Sequence, residues 1–213
     1  GYLPAAVLNY LLLLGWAPEG EQEIFSLDEM IKIWDPSRIS KSPAIFDPLK
    51  LRAINAAYIR ALPAEEFRRL ADPFIDSAVH CDIDRDLLCA NLQPRCEVLE
   101  DIPPQLDFFD AVLPIDAEMY RNKKQKTTPE SAKEALTALL PVLEAQTDWT
   151  RDAIFEACKT LAEQMEKKNG WLLFPLGIAL SGKARTPGGG TDLAAMMGRE
   201  ETLKRVKDAL GKL

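Results

Sequence analysis

Histidine is almost missing: His80 is the only one in 213 residues, so the side chain most used for proton transfer and zinc binding is scarce. Four cysteines, Cys81, Cys89, Cys96 and Cys158, form no C-x-x-C pair, which argues against a Cys/His zinc site. They read as free, partly buried thiols of a reducing cytoplasm. No apolar run reaches the ~18 residues that span a bilayer. The run from Val7 to Trp16 is short, contains Asn9 and meets Gly15 and Pro18, so it reads as a buried helix. No basic segment precedes it as in a secretory signal. Basic charge is also in deficit: 26 Lys and Arg against 33 Asp and Glu give a net charge of −7. That argues against a general polyanion binder but leaves room for an RNA site built on a local basic patch. Nucleophilic catalysis lacks its base, since nothing around His80 would orient it. Gly188-Gly189-Gly190 follows no strand pattern and lacks G-K-[ST], so it is a turn and not a phosphate loop. Glu65-Glu66 and Glu200-Glu201 fall in helical first turns, where they complement the dipole.

What is present is a series of helix signals, with strand signals nearly absent. A content of 47% hydrophobic and 28% charged residues supports one large or two small soluble domains with real cores. The chain begins with Gly1 and enters a helix almost at once, which reads as a piece of a longer protein. Pro4 opens that helix and Gly15 closes it. Ser26 and Glu29 form a capping box for a helix through Met30, Ile33 and Trp34, broken at Asp35-Pro36. Asp47 as N-cap and Pro48 at the first position open a helix that aligns Leu51, Ile54, Tyr58 and Leu62 on one face. A short helix carries Phe67, Leu70 and Ala71 into Asp72-Pro73. Asp84 caps another through Leu87, Leu88 and Leu92 up to Pro94. Asp101 to Pro104 is expected to open a helix with Leu106, Phe109 and Leu113 on its apolar side. Residues 114–128, with Arg121, Lys123, Lys124 and Lys126, read as a junction whose lysines suit either phosphate tracking or a solvated surface. Thr127 and Glu130 then have capping-box spacing for a helix through Leu136, Leu139 and Leu143. A further helix from about Asp148 is expected to run to Asn169-Gly170. An apolar helix around Leu172 to Leu180, a Gly/Pro loop from Ser181 to Gly190 and two terminal helices complete an all-α chain.

The opening of the chain and three segments further on carry a resemblance to bacterial-type glutamyl-tRNA synthetases. The first is Ser40-Lys-Ser-Pro-Ala-Ile-Phe-Asp-Pro-Leu-Lys-Leu-Arg-Ala-Ile-Asn-Ala-Ala-Tyr-Ile-Arg60, which is similar to the segment following the family's catalytic domain. Gly1-Tyr-Leu-Pro-Ala-Ala-Val-Leu-Asn-Tyr-Leu11 likewise resembles the stretch just after the family's second ATP motif. The resemblance implies that Lys41, Lys50, Arg52 and Asn55 face the inner corner of a tRNA; Ala53 stands where the family usually has Trp. The second segment, Leu92-Gln-Pro-Arg-Cys-Glu-Val-Leu99, resembles a family element at a helix end. Arg95 matches the arginine that reads the third anticodon base in glutamate-specific enzymes. The third, Phe174 to Gly188, resembles a loop used for the first anticodon base. It implicates Thr186 and Pro187, with Gly177 in place of the usual Arg and with Lys183 or Arg185 as possible substitutes.

The resemblance therefore implies an all-α, elongated arrangement: a stem-contact region at 1–62 and two helical anticodon-binding subdomains at 63–115 and 116–213. The expected tRNA contacts are Lys50, Asn55, Arg95, Lys183, Arg185, Thr186 and Pro187, with no catalytic or metal residues. The partner would be glutamate tRNA, with no DNA, no membrane and a monomeric state. The chain itself needs no cofactor; ATP and Mg belong to the parent glutamate–tRNA ligase, whose catalytic Rossmann domain and ATP motifs are absent from this sequence. The rival reading is a helical structural or protein-interaction module derived from the family without specific tRNA recognition. Its support is the Ala53 and Gly177 departures and the acidic charge.

Overall fold

The computed structural model describes residues 1–40 and 44–213. Among them every regular element is helical, apart from the isolated bridges Trp16–Ile39 and Asn122–Thr127. The α-helices are α1 (Pro4–Gly15), α2 (Leu27–Ile33), α3 (Pro48–Ala61), α4 (Ala64–Asp76), α5 (Arg85–Leu92), α6 (Pro129–Ala145), α7 (Arg151–Gln164), α8 (Asn169–Ser181) and α9 (Gly190–Lys212). None of the described helices is long and apolar enough to cross a membrane.

Packing divides the chain into two compact units, Gly1–Phe74 with Leu92–Ile102, and Ile75–Asn91 with Pro103–Leu213. Neither unit is continuous in sequence, whereas the cuts expected at 62 and 115 would make consecutive pieces. In the first unit α1 packs on α3. The signals that start these helices are local and operate as written. Asp47 accepts from Leu49 N and Lys50 N at 2.9 and 3.1 Å, and Ser26 with Glu29 closes a reciprocal capping box. Asn9, fully buried, joins α1 to the segment before α2: its Nδ2 donates to the Glu23 carbonyl and its Oδ1 accepts from Phe25 N, both at 2.8 Å. A buried amide of this kind costs little because each of its polar atoms is partnered.

The second unit is built on α8 and α9, which pack on each other and on α6 and α7. Leu172, Leu176, Leu180, Leu193, Val206, Leu136, Leu139 and Ile154 are all fully buried there. α9 breaks at Gly198, whose φ of 78° is left-handed, so it comprises the two terminal helices expected from sequence.

Four expectations are corrected. α4 does not stop at Asp72-Pro73 but carries Pro73 inside it. The stretch after Asp101 forms no α-helix; it makes short 3-10 turns at Leu99–Asp101 and Pro103–Gln105 while Leu106, Phe108 and Phe109 are buried. α6 is capped by Thr128 and Ser131, while Thr127 lies one residue too early and its buried hydroxyl donates to the Tyr120 carbonyl at 2.7 Å. Asn169-Gly170 begins α8 and does not end α7, which stops at Gln164 with Glu166 left-handed at φ 54°.

All four cysteines are free, and only Cys81 is exposed. Burial pushes the thiols of Cys96 and Cys158 up to about 11 and about 12. The Cys81 thiol is also raised, first by desolvation and then by Asp110. An aromatic disulfide reagent at pH 8 is therefore expected to label one thiol in the native protein and all four in urea. Cys81→Ser should abolish the native reaction; rapid labelling of a second thiol would contradict this packing.

Candidate nucleic-acid interface

The candidate residues divide between the units. Lys50, Asn55 and Arg95 belong to the first, and Lys183, Arg185, Thr186 and Pro187 to the second. Lys41 lies outside the described residues.

On α3 the candidates have very different surroundings. Lys50 is partly exposed and its Nζ pairs with Glu23. Arg52 donates through Nε to Glu97 at 2.9 Å and through Nη2 to Asp101, and these carboxylates raise its pKa further above the ordinary arginine value. Asn55 is wholly buried. Its Oδ1 accepts from Leu3 N at 2.8 Å and its Nδ2 donates to the Glu97 carbonyl. With no exposed surface and both ends of the amide occupied, Asn55 cannot touch RNA in this conformation; it ties α3 to the N-terminal segment and to residues 96–99. Ala53, where the family has Trp, is exposed on the same helix.

Arg95 ends the 3-10 turn Gln93–Arg95, which continues directly from α5. The turn is fixed by Gln93, whose Nε2 donates to the carbonyls of Ile59 and Leu62 at 3.0 and 2.8 Å. Cys96, buried beneath, donates its thiol to the Val98 carbonyl at 3.3 Å. Between these anchors the Arg95 side chain is exposed. A planar guanidinium on a fixed turn suits directional hydrogen bonding to a base edge.

The loop between α8 and α9 is held at both ends. Gly182 closes α8 in the left-handed region at φ 71°, donating to the Ile178 carbonyl at 2.8 Å, and a Cβ there would meet the Leu113 carbonyl oxygen at 2.6 Å. Lys183 is drawn inward: its Nζ donates to the Pro104 carbonyl at 2.8 Å and pairs with Asp107. The Thr186 hydroxyl donates to the Gly188 carbonyl at 2.6 Å, and Pro187 is buried. Asp192 accepts from Gly189 N at 2.7 Å and also pairs with Arg151 at 3.0 Å. Arg185 is the exception, exposed and without an ion pair among the described residues. The loop thus presents one outward guanidinium on a braced backbone. At Gly177 a Cβ would meet only ordinary contacts at 3.9 Å, so the backbone there does not require glycine.

Sequence reasoning missed the residues that brace these positions: Gln93 and Asp107, whose partners lie far away along the chain, and Asp192, which joins a local contact to Gly189 N with a distant one to Arg151. It also missed an apolar groove formed by α1 and α2, lined by Leu8, Leu11, Met30, Ile31 and Trp34, which offers no ligand for phosphate. Among the described residues no group of three or more His, Cys, Asp or Glu is placed to hold a metal ion.

Comparison with known proteins fits this arrangement. Residues 51–210 match the anticodon binding domain family, and residues 1–53 match the catalytic domain of class I tRNA synthetases (E and Q). Over its whole length the chain is 46% identical to a glutamate–tRNA ligase of Clostridium botulinum (strain Hall) and 43% identical to that of Clostridium acetobutylicum. It spans 44% of the length of each. A crystal structure of a glutamate tRNA ligase from Elizabethkingia meningosepticum in complex with its amino acid superposes with a TM-score of 0.86 at 28% identity, over 100% of this chain and 42% of that one. This chain therefore belongs to the anticodon binding domain family, and its similarity to glutamate–tRNA ligases runs its full length.

Proposed function

We propose that the chain is the tRNA-selecting part of a bacterial-type glutamate–tRNA ligase, acting in the cytoplasm as a monomer. In this reading residues 1–62 meet the inner corner of glutamate tRNA, and 63–115 and 116–213 meet its anticodon loop. The attachment of glutamate, with its ATP and Mg, is assigned to the ligase's catalytic domain, whose family model this chain matches over residues 1–53. The observation that carries the reading is the full-length similarity to glutamate–tRNA ligases together with the family match over residues 51–210.

Arg95 would read the third anticodon base. Cytosine offers the O2 and N3 acceptors on its pairing edge, whereas guanine presents N1 and N2 donors that would oppose a guanidinium. Arg185, Thr186 and Pro187 would form the surface for the first base, where a braced loop offers backbone groups to an unstacked nucleotide. Lys50 and Lys183 reach phosphate only by leaving Glu23 and Asp107, both of which are surface partners of modest strength.

Binding of tRNAs whose third anticodon base is C or G tests this directly. The parent chain is expected to prefer C. Arg95→Gln should reduce that preference by roughly tenfold or more, the scale of one good bidentate contact. Equal binding of both tRNAs by the parent, weak and steeply salt-dependent, would favour a helical module without specific recognition. An unchanged preference in Arg95→Gln would remove Arg95 from the reading.

A further inference from the structure

Two neighbouring turns of the second unit expose lysines without carboxylate partners. In the first, Asn122 and Thr127 exchange backbone hydrogen bonds at 3.1 Å, and Asn122 Oδ1 accepts from Lys124 N and Gln125 N at 2.9 and 3.1 Å. This six-residue closure points Lys123, Lys124 and Lys126 into solvent. The second turn joins α7 to α8: Lys167 N donates to the Ala162 carbonyl at 2.8 Å, and Lys167 and Lys168 are exposed. The turns touch, because Gln125 lies on Gly170 so closely that a Cβ there would fall 1.7 Å from its Oε1. A larger residue at 170 would require the Gln125 amide to swing aside.

Three observations set this place apart. None of the five lysines has an ion pair among the described residues; Lys32, Lys133 and Lys212 have none either but are scattered over α2, α6 and α9, whereas Lys50, Lys159, Lys183, Lys204 and Lys207 each sit against a carboxylate. The nearby acids in sequence form no ion pair with them: Glu118 is engaged by Arg121 at 2.7 Å, Asp116 caps a turn by accepting from Glu118 N at 2.8 Å, and Glu130, Glu163 and Glu166 are exposed on the rim. Finally, Lys126 and Glu166, at φ 56° and 54°, are the two left-handed non-glycine residues among those described, and each sits in one of these turns. That conformation costs a side-chain-bearing residue about 1 kcal/mol or more, so both turns hold their shape against a local preference for glycine or asparagine.

We infer that Lys123, Lys124, Lys126, Lys167 and Lys168 form a phosphate-binding surface for the backbone of a structured RNA, separate from the base-reading loop. α8 places the two apart: the lysines gather at its first residue and the 183–187 loop follows its last, so they are separated by about 20 Å of helix. An RNA engaged at both would have its bases read at one end and its backbone held at the other. The inference rests on the tRNA-binding reading and adds a sequence-independent contact to it.

The test is the salt dependence of tRNA binding by the 213-residue chain, compared with Lys123→Gln/Lys124→Gln/Lys126→Gln and a charge-matched control, Lys159→Gln/Lys204→Gln/Lys207→Gln. Each neutralised phosphate contributes about 0.7 to 0.9 to the slope of log K against log salt. The first variant is expected to flatten the slope by about 2 and to bind roughly 10- to 100-fold more weakly near 0.1 M salt. The factor should be equal for cognate and anticodon-altered tRNA, and circular dichroism and melting should be unchanged. The control should keep the parent slope. A variant slope equal to the parent's, or the same flattening in the control, overturns the inference while leaving the tRNA-binding reading intact. A parent chain that binds no tRNA overturns both.

Discussion

Replacing Arg205 by Met is expected to destabilise the second unit by about 3–5 kcal/mol, the usual cost of removing one partner from a buried charged cluster. Arg205 is 2% exposed, and four of the five N–H donors of its guanidinium are used. Nη1 donates to the carbonyls of Phe108 and Leu180 at 2.7 and 2.6 Å, Nη2 to that of Phe109 at 2.6 Å, and Nε to Glu201 at 2.7 Å. Met fills the volume of the stem but leaves three carbonyls facing an apolar group, each costing about 1–3 kcal/mol if it finds no water. Lys should be intermediate, since one ammonium cannot reproduce a planar fork. For a domain of this size the Met variant should melt about 6–20 °C lower. Its amide exchange should accelerate in α8 and α9 first. Burial opposes ionisation of Glu201, but hydrogen bonds from Arg205 and Lys204 outweigh it and hold its pKa below the usual range. The Glu201 share of the loss is therefore fully present above the unfolded carboxylate value and fades as pH falls through the folded one. A Met variant within about 1 kcal/mol of the parent would show that the carbonyls are readily satisfied by water.

The same arginine explains why one element was unreadable. Leu106, Phe109 and Leu113 have helical spacing, and a helix is the natural expectation after Asp101-Ile-Pro-Pro104. The carbonyls of Phe108 and Phe109 are instead taken by Arg205, nearly a hundred residues later, and the chain is pinned in turns. By contrast, Ser26 with Glu29 and Asp47 with Pro48 act within three residues, so their helices begin where the sequence places them. The candidate site follows the same division. Arg95 and the 183–187 loop are legible from local wording. Which cation of that loop faces outward is not, because Lys183 is removed by Asp107, 76 residues away, while Arg185 stays outward. Lys159 and Lys204 pair with glutamates three residues away, which spacing can suggest, but the pairing of Lys50, Lys183 and Lys207 is decided by distant carboxylates, so the sequence could not separate them from the unpaired lysines at 123–126 and 167–168.

Asn55 is the residue for which family wording and physical surroundings diverge most, and its substitution separates the two. Asn55→Ala is expected to destabilise the first unit by about 2–4 kcal/mol, because it orphans the Leu3 N–H and the Glu97 carbonyl in the interior. Asn55→Asp is isosteric and more informative. One carboxylate oxygen can still accept from Leu3 N, but the other turns a donor into an acceptor against the Glu97 carbonyl, and a buried charge is added. Protonation restores the donor, so the folded pKa of this Asp should be raised. The penalty should be full above that pKa and relieved as pH falls through it, the opposite of the Glu201 trend. Urea midpoints of parent, Ala and Asp forms at pH 7 and pH 5 measure this. At temperatures where the variants remain folded, tRNA affinity should stay near the parent value. Parent-like stability with weakened tRNA binding would instead mean that Asn55 turns outward to meet the RNA, and that α3 rearranges when it does.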